Sequence, residues 1–109
     1  MGEIHKHPQV IQDLIEIATY IAENDLDRSD RFLQAAEETF KQLGKMPQLG
    51  KQSNFSNPHL QNIRQLAVKE FGKYLIFYQT TKVGVQIIRV LHGSREIETT
   101  LEDNSQEEM

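Results

Sequence analysis

Helical and extended patterns are segregated along this chain, and that order restricts the folds it can adopt. Val10, Leu14, Ile17, Ala18 and Ile21 recur at helical spacing, with Ile11, Ile15 and Ala22 widening the apolar face. His7-Pro8 opens this helix, because a proline in the first turn forfeits no intrahelical N–H bond. Asn24-Asp25 interrupts it, and Asp27 or Ser29 is placed to cap a second helix, whose stripe is Phe32, Ala36, Phe40 and Leu43. Gly44 and Pro47 then stop the helical run. The short connection predicts an antiparallel helical hairpin.

Residues 47–59 are rich in Gly, Ser, Asn, Gln, Pro and Lys, with Phe55 the one Phe, Tyr or Trp among them. That is a loop near the length limit for a structureless connection, and Lys51 and Phe55 are the side chains it offers to a partner. Three extended segments follow, over about 63–69, 73–80 and 85–91, with Gly72 and Gly84 at the expected reversals. Residues 2–6 fit an edge strand or an arm. The predicted order is β-α-α-β-β-β, an α+β domain over residues 1–97 with the helical hairpin on one face of a mainly antiparallel sheet. Residues 98–109 hold almost nothing to bury and read as an acidic tail, disordered or ordered by a partner. This arrangement leaves the second sheet face bare, and an open apolar face calls for a partner.

A chain of 109 residues, 38% hydrophobic and 26% charged, fits one globular domain. Cysteine is absent, which excludes disulfides and thiolate chemistry and suits a reducing compartment. No run approaches the roughly 18 apolar residues of a membrane span, and the N-terminus lacks a signal peptide's apolar core, so a cytoplasmic location without membrane contact is expected. The net charge of −4 hides three blocks: −6 over residues 1–40, +8 over 41–95 and −6 over 96–109. Either an acidic partner or nucleic acid covers the middle block, or the helices and tail neutralise it within the fold. In the second case the acidic tail acts as an internal mimic of an anionic partner.

The last apolar strand, Val85 to Leu91, carries Arg89 in its middle and ends on His92-Gly93-Ser94-Arg95. An unpaired guanidinium in a strand interior is costly, so Arg89 either pairs with Asp13 or Glu16 of the packed helix or faces a surface that an anion covers. Arg64, between Ile63 and Leu66, poses the same alternative. His92 either ties down the turn through its ring nitrogens or contacts a partner. Arg95 is exposed by any reading. Tyr74 and Tyr78 share one face with Ile76, as sheet packing or as a base-stacking platform. His5, His7 and His59 lack metal-ligand spacing, and neither a metal nor a cofactor is expected.

His7-Pro8-Gln9-Val10-Ile11-Gln12-Asp13-Leu14-Ile15-Glu16-Ile17 with Tyr20-Ile21-Ala22 resembles the first helix of RelE/ParE superfamily toxins. Arg31-Phe32-Leu33, Thr39-Phe40-Lys41-Gln42-Leu43, Met46-Pro47, Gly50, Ile63-Arg64 and Tyr74-Leu75-Ile76-Phe77-Tyr78 continue the similarity in order. It closes on Ile88-Arg89-Val90-Leu91-His92-Gly93-Ser94-Arg95-Glu96, an ending more similar to the ParE branch than to the ribosome-dependent RelE branch. The resemblance spans about residues 7–96.

What the resemblance implies is the toxin of a type II toxin–antitoxin pair, held inactive by a small cognate antitoxin and acting on DNA gyrase. The implied alternatives are a RelE-like nuclease, whose partners are the ribosome and mRNA, or an antitoxin-binding protein without toxic activity. Homodimer and hetero-oligomer with antitoxin are both open. RNA cleavage through a 2′-hydroxyl needs a base, an acid and cations around the phosphorane. RelE-like enzymes draw these from Lys, Arg and a C-terminal Tyr. Here Arg95 takes the late Arg position and Lys69 a weaker Lys position, but Glu96-Ile97-Glu98 follows where a Tyr is needed. His92 is the only replacement at hand, since an imidazole exchanges protons near neutrality. The expected partner-binding residues are Arg64, Lys51, Phe55, Arg89, His92 and Arg95; under the nuclease alternative the catalytic set is His92, Arg95 and Lys69.

Overall fold

The computed structural model describes residues 2–107. Strand β1 (Glu3–Lys6) leads into helix α1 (Pro8–Ala22) and helix α2 (Leu26–Lys45). A two-residue strand β2 (Lys51–Gln52) and a 3-10 turn (Pro58–Leu60) precede β3 (Arg64–Val68), β4 (Phe71–Thr80) and β5 (Gly84–His92). Helix α3 (Ile97–Glu107) closes the described chain. The strands form one sheet in the order β1-β5-β4-β3-β2, antiparallel throughout except for the parallel β1–β5 pair. The α+β architecture and the hairpin are as expected, with β2 and α3 added.

Local chemistry explains the joints. Asp25, not Asp27 or Ser29, caps α2 by accepting the Arg28 N–H at 3.0 Å. Ser29 instead donates its hydroxyl to the Ala18 carbonyl at 2.6 Å and staples the two helices together. The reversal between β3 and β4 falls at Lys69-Glu70, where Glu70 takes the left-handed conformation at φ 68°; Gly72 lies inside β4. Gly84 is required by proximity rather than by its turn, because a Cβ there would lie 2.0 Å from the Glu3 carbonyl oxygen of β1.

One face of the sheet carries the main core. Val10 and Leu14 of α1 and Phe32, Ala36, Phe40 and Leu43 of α2 pack on Ile76, Tyr78, Val85, Ile87 and Val90. Tyr74 and Tyr78 belong to this cluster, so they are packing residues and not a base platform.

The second face corrects the sequence reading. It is roofed by the chain itself: Leu60 and Ile63 from the segment before β3, and Leu101 from α3, bury Phe77, Ile88 and Leu91. Phe55, Leu75 and Ile97 pack on this second cluster and stay half-buried. Ala67 and Lys73 remain exposed. The stretch read as an acidic tail, disordered or ordered by a partner, is helical through residue 107, while 108–109 lie outside the described residues. The reason is a single anchor: Ile97 and Leu101 stand one helical turn apart, so one face of an otherwise acidic segment can be buried.

Candidate functional site

Arg89 resolves the alternative posed by its sequence position. Its guanidinium donates from Nε and Nη2 to the two carboxylate oxygens of Asp13, each at 2.8 Å, and both side chains are buried. Asp13 also accepts the Val90 N–H at 3.0 Å. That third bond has a topological cause. Strand β1 ends at Lys6 and pairs β5 only as far as Ile87, so an edge N–H further along needs another acceptor. Arg89 thus faces inward, both prongs of its guanidinium held by Asp13.

Arg64 and Lys51 lie at the β2–β3 side of the sheet. Arg64 donates from Nη1 to the Gly50 carbonyl at 2.8 Å and is half-buried. Tyr78 completes this corner: its fully buried hydroxyl donates to the Pro47 carbonyl at 2.9 Å and accepts the Gly50 N–H at 2.8 Å. Burial pushes the Tyr78 phenol above its ordinary value, against the opposing pull of the Gly50 bond and the Arg64 charge. A Cβ on Gly50 would sit 2.6 Å from both the Gln65 carbonyl and the Tyr78 hydroxyl, which leaves glycine as the only fit. Lys51 is exposed and makes no ion pair among the described residues. A polar depression of about 420 Å³ opens beside Arg64, lined also by Gln52, Asn62, Gln79 and Thr80. Phe55 turns inward, its ring 6.2 Å from Phe77.

His92 and Arg95 lie toward the other end of the sheet, where His92 pairs with Tyr74 across β4–β5. Arg64 pairs with Tyr78, so the two groups stand four residues apart along β4, about 13 Å at strand rise. The His92 Nδ1 accepts the Ser94 N–H at 3.0 Å and lies 2.7 Å from the Ser94 hydroxyl, closing the Gly93-Ser94 turn. Its ring meets Tyr74 edge-on at 5.2 Å. Burial, reinforced by the nearby Tyr20 phenol, pushes the Tyr74 hydroxyl up and away from neutral-pH proton transfer. Arg95 is exposed and makes no ion pair among the described residues. Lys69 shares this end of the sheet, but its ammonium reaches Glu38 of α2 at 3.7 Å. His92, Arg95 and Lys69 therefore share a neighbourhood without contacting one another.

The residues that sequence reading missed are on α3 and the segment it touches. Glu98 accepts the Ser56 hydroxyl at 2.7 Å, the Ser56 N–H at 3.2 Å and the Asn57 N–H at 3.1 Å. The Ser56 hydroxyl, then its N–H, hold the Glu98 carboxyl below its ordinary value. Asn57 also donates its side-chain amide to Glu102 and accepts the His59 N–H at 2.8 Å. Among the described residues no group of His, Asp or Glu could hold a metal ion, and no helix is long and apolar enough to cross a membrane.

The family model for the ParE toxin of type II toxin–antitoxin systems (parDE) matches residues 4–97. A comparison with curated proteins returned no significant match. The chain belongs to the ParE toxin family, and membership in a type II system implies an antitoxin partner.

Proposed function

We propose that this toxin acts by binding and inhibiting DNA gyrase, through exposed cations that include Lys51 and Arg95. The observation that carries this reading is the family match over residues 4–97, from β1 to the start of α3. Supporting it, the side chains a nuclease would need have other engagements. The His92 Nδ1 takes Ser94, Lys69 takes Glu38, and no Tyr follows Arg95. A protein-binding inhibitor needs no assembled acid–base pair, only accessible charge and shape. Expression of the chain without antitoxin is expected to arrest growth, and the purified protein to inhibit gyrase supercoiling. Supercoiling left intact at saturating protein would remove gyrase as the target.

The second reading is ribosome-dependent mRNA cleavage, and one observation favours it: His92, Arg95 and Lys69 collect at the same end of the sheet. Wild type and the variants His92→Ala and Arg95→Ala separate the two readings on translating ribosomes. Transcripts cut by wild type and spared by both variants would establish the nuclease; transcripts left intact by all three would dismiss it.

A further inference from the structure

The sheet holds two arginines in contrasting ways. Arg89 spends the side-on fork of its guanidinium, Nε and Nη2, on the Asp13 carboxylate. Arg64 donates only from Nη1, to the Gly50 carbonyl, and its own Nε–Nη2 fork meets no acceptor among the described residues. It makes no ion pair among them either. A guanidinium carries five N–H donors, and anchoring one carbonyl uses a single one. A latch for the Gly50 corner therefore leaves most of this side chain's chemistry unused. The latch does fix the group in place: Gly50 is itself held by the Tyr78 hydroxyl, so the half-buried guanidinium is pre-organised with its fork accessible.

The surroundings of the fork narrow what it can take. Arg64 lines the polar depression of about 420 Å³ with Gln52, Asn62, Gln79 and Thr80, none of them acidic. The side chains of Asn62, Gln79 and Thr80 make no hydrogen bond to a described residue other than the solvent-facing ones they line up with, and Gln52 gives one amide N–H to the Gln61 carbonyl and keeps a second. One fixed positive charge ringed by neutral donors selects an oxyanion. A carboxylate offers two oxygens, which the fork alone can match. A phosphate monoester offers three, so the amides and the hydroxyl find acceptors as well. The depression lies within the roughly 300–1,000 Å³ of small-molecule sites and has room for more than a phosphoryl group.

We propose that this depression binds the phosphate monoester of a small polar molecule, with the phosphoryl oxygens on the Arg64 fork and the remainder against the amides of Gln52, Asn62 and Gln79. The site stands about 13 Å along β4 from the His92 end of the sheet. It rests neither on the gyrase reading nor on the nuclease reading.

Nuclear magnetic resonance of the full-length, nitrogen-labelled chain reads the Arg64 Nε–H directly. The probes are inorganic phosphate, ribose phosphate, adenosine monophosphate and acetate, each titrated to millimolar concentration at constant ionic strength. At least one ester is expected to shift the Arg64 Nε–H signal saturably while the Arg89 signal stays in place. That ester is expected to bind at least threefold more tightly than inorganic phosphate or acetate; a smaller preference, or no saturable shift with either ester, would overturn the proposal. The stronger of the two esters tells whether the remainder is a sugar or a nucleoside. Asn62→Asp sets a carboxylate at an exposed position of the lining, where it can take the fork itself. It is expected to weaken ester binding at least fivefold with Tm unchanged or raised, and a smaller loss would overturn the site. Neither readout involves growth arrest or gyrase, so failure here leaves the toxin reading standing.

Discussion

Asp13 and Arg89, 76 positions apart in sequence, meet in a two-pronged buried ion pair that also closes the open edge of β5. Helix α1 supplies the acid and the last strand the base, so the pair fixes the helix on the sheet at one register. Removing one partner leaves a buried charge unmatched, which costs about 3–5 kcal/mol. Asp13→Ala is expected to destabilise by that amount in urea unfolding, and Asp13→Asn by somewhat less because its amide oxygen still accepts the Val90 N–H. The double variant Asp13→Leu/Arg89→Met should recover most of the loss. A single-variant loss below about 1 kcal/mol would show that the pair is not closed in solution.

Tyr78 and Gly50 make a second lock at the opposite side. Tyr78→Phe removes the donor to Pro47 and the acceptor for the buried Gly50 N–H, at about 2 kcal/mol for groups left unsatisfied. Gly50→Ala should be worse, since its new methyl overlaps the Tyr78 hydroxyl and the Gln65 carbonyl together. Chemical denaturation of both variants checks the order; a milder effect for Gly50→Ala would contradict the close approach.

The β3–β4 reversal gives a stabilising prediction. Glu70 holds a left-handed backbone that costs an L-residue about 1 kcal/mol, and glycine relieves most of it. Glu70→Gly should therefore raise Tm, by up to about 1 kcal/mol of stability after the added unfolded-state freedom is counted. Gly72→Ala should be neutral or mildly stabilising, because its Cβ meets nothing and its backbone is extended. Destabilisation by Glu70→Gly would relocate the turn.

Residues differ in how far their sequence betrays them. Arg89 is legible because a guanidinium in an apolar strand demands a carboxylate, and the helical stripe puts Asp13 within reach. The hairpin is legible because two long periodic runs flank one break. The turn at Glu70 is not, since a neighbouring Gly72 is the more obvious breaker and only tertiary closure pins the reversal one step earlier. Strand β2 is too short to have a period. Helix α3 hides because, among its described side chains, two apolar residues, Ile97 and Leu101, make its contact with the second cluster, amid carboxylates whose partners lie in a distant loop. The inference of a bare sheet face failed for that reason, and the expectation of an antitoxin rests on family membership instead.

The hold of the 56–57 segment on α3 is pH-dependent. Glu98 has its carboxyl lowered by the Ser56 and Asn57 donors, so the folded state favours the ionised form. Its contribution to α3 docking is complete above the ordinary carboxylate value. It is lost as pH falls through the lowered one. Hydrogen exchange at the Leu101 amide, corrected for intrinsic rates, should show α3 loosening only below the ordinary carboxylate range, before the sheet opens. Glu98→Gln should abolish that pH step; a step that persists in the variant would assign it to another group.

If gyrase is the target, exposed and internally engaged residues should separate in function. Arg95 and Lys51 make no internal ion pair among the described residues, so replacing either with Ala leaves the fold untouched. Loss of one useful interface cation is worth about 1 kcal/mol, roughly a fivefold drop in inhibitory potency. Arg95→Ala and Lys51→Ala should each show that drop in a supercoiling assay at unchanged Tm. His92→Ala should behave differently: it releases Ser94 and the Tyr74 edge contact, so it should lower Tm together with potency. Full potency in both Arg95→Ala and Lys51→Ala would move the inhibitory surface away from these two cations.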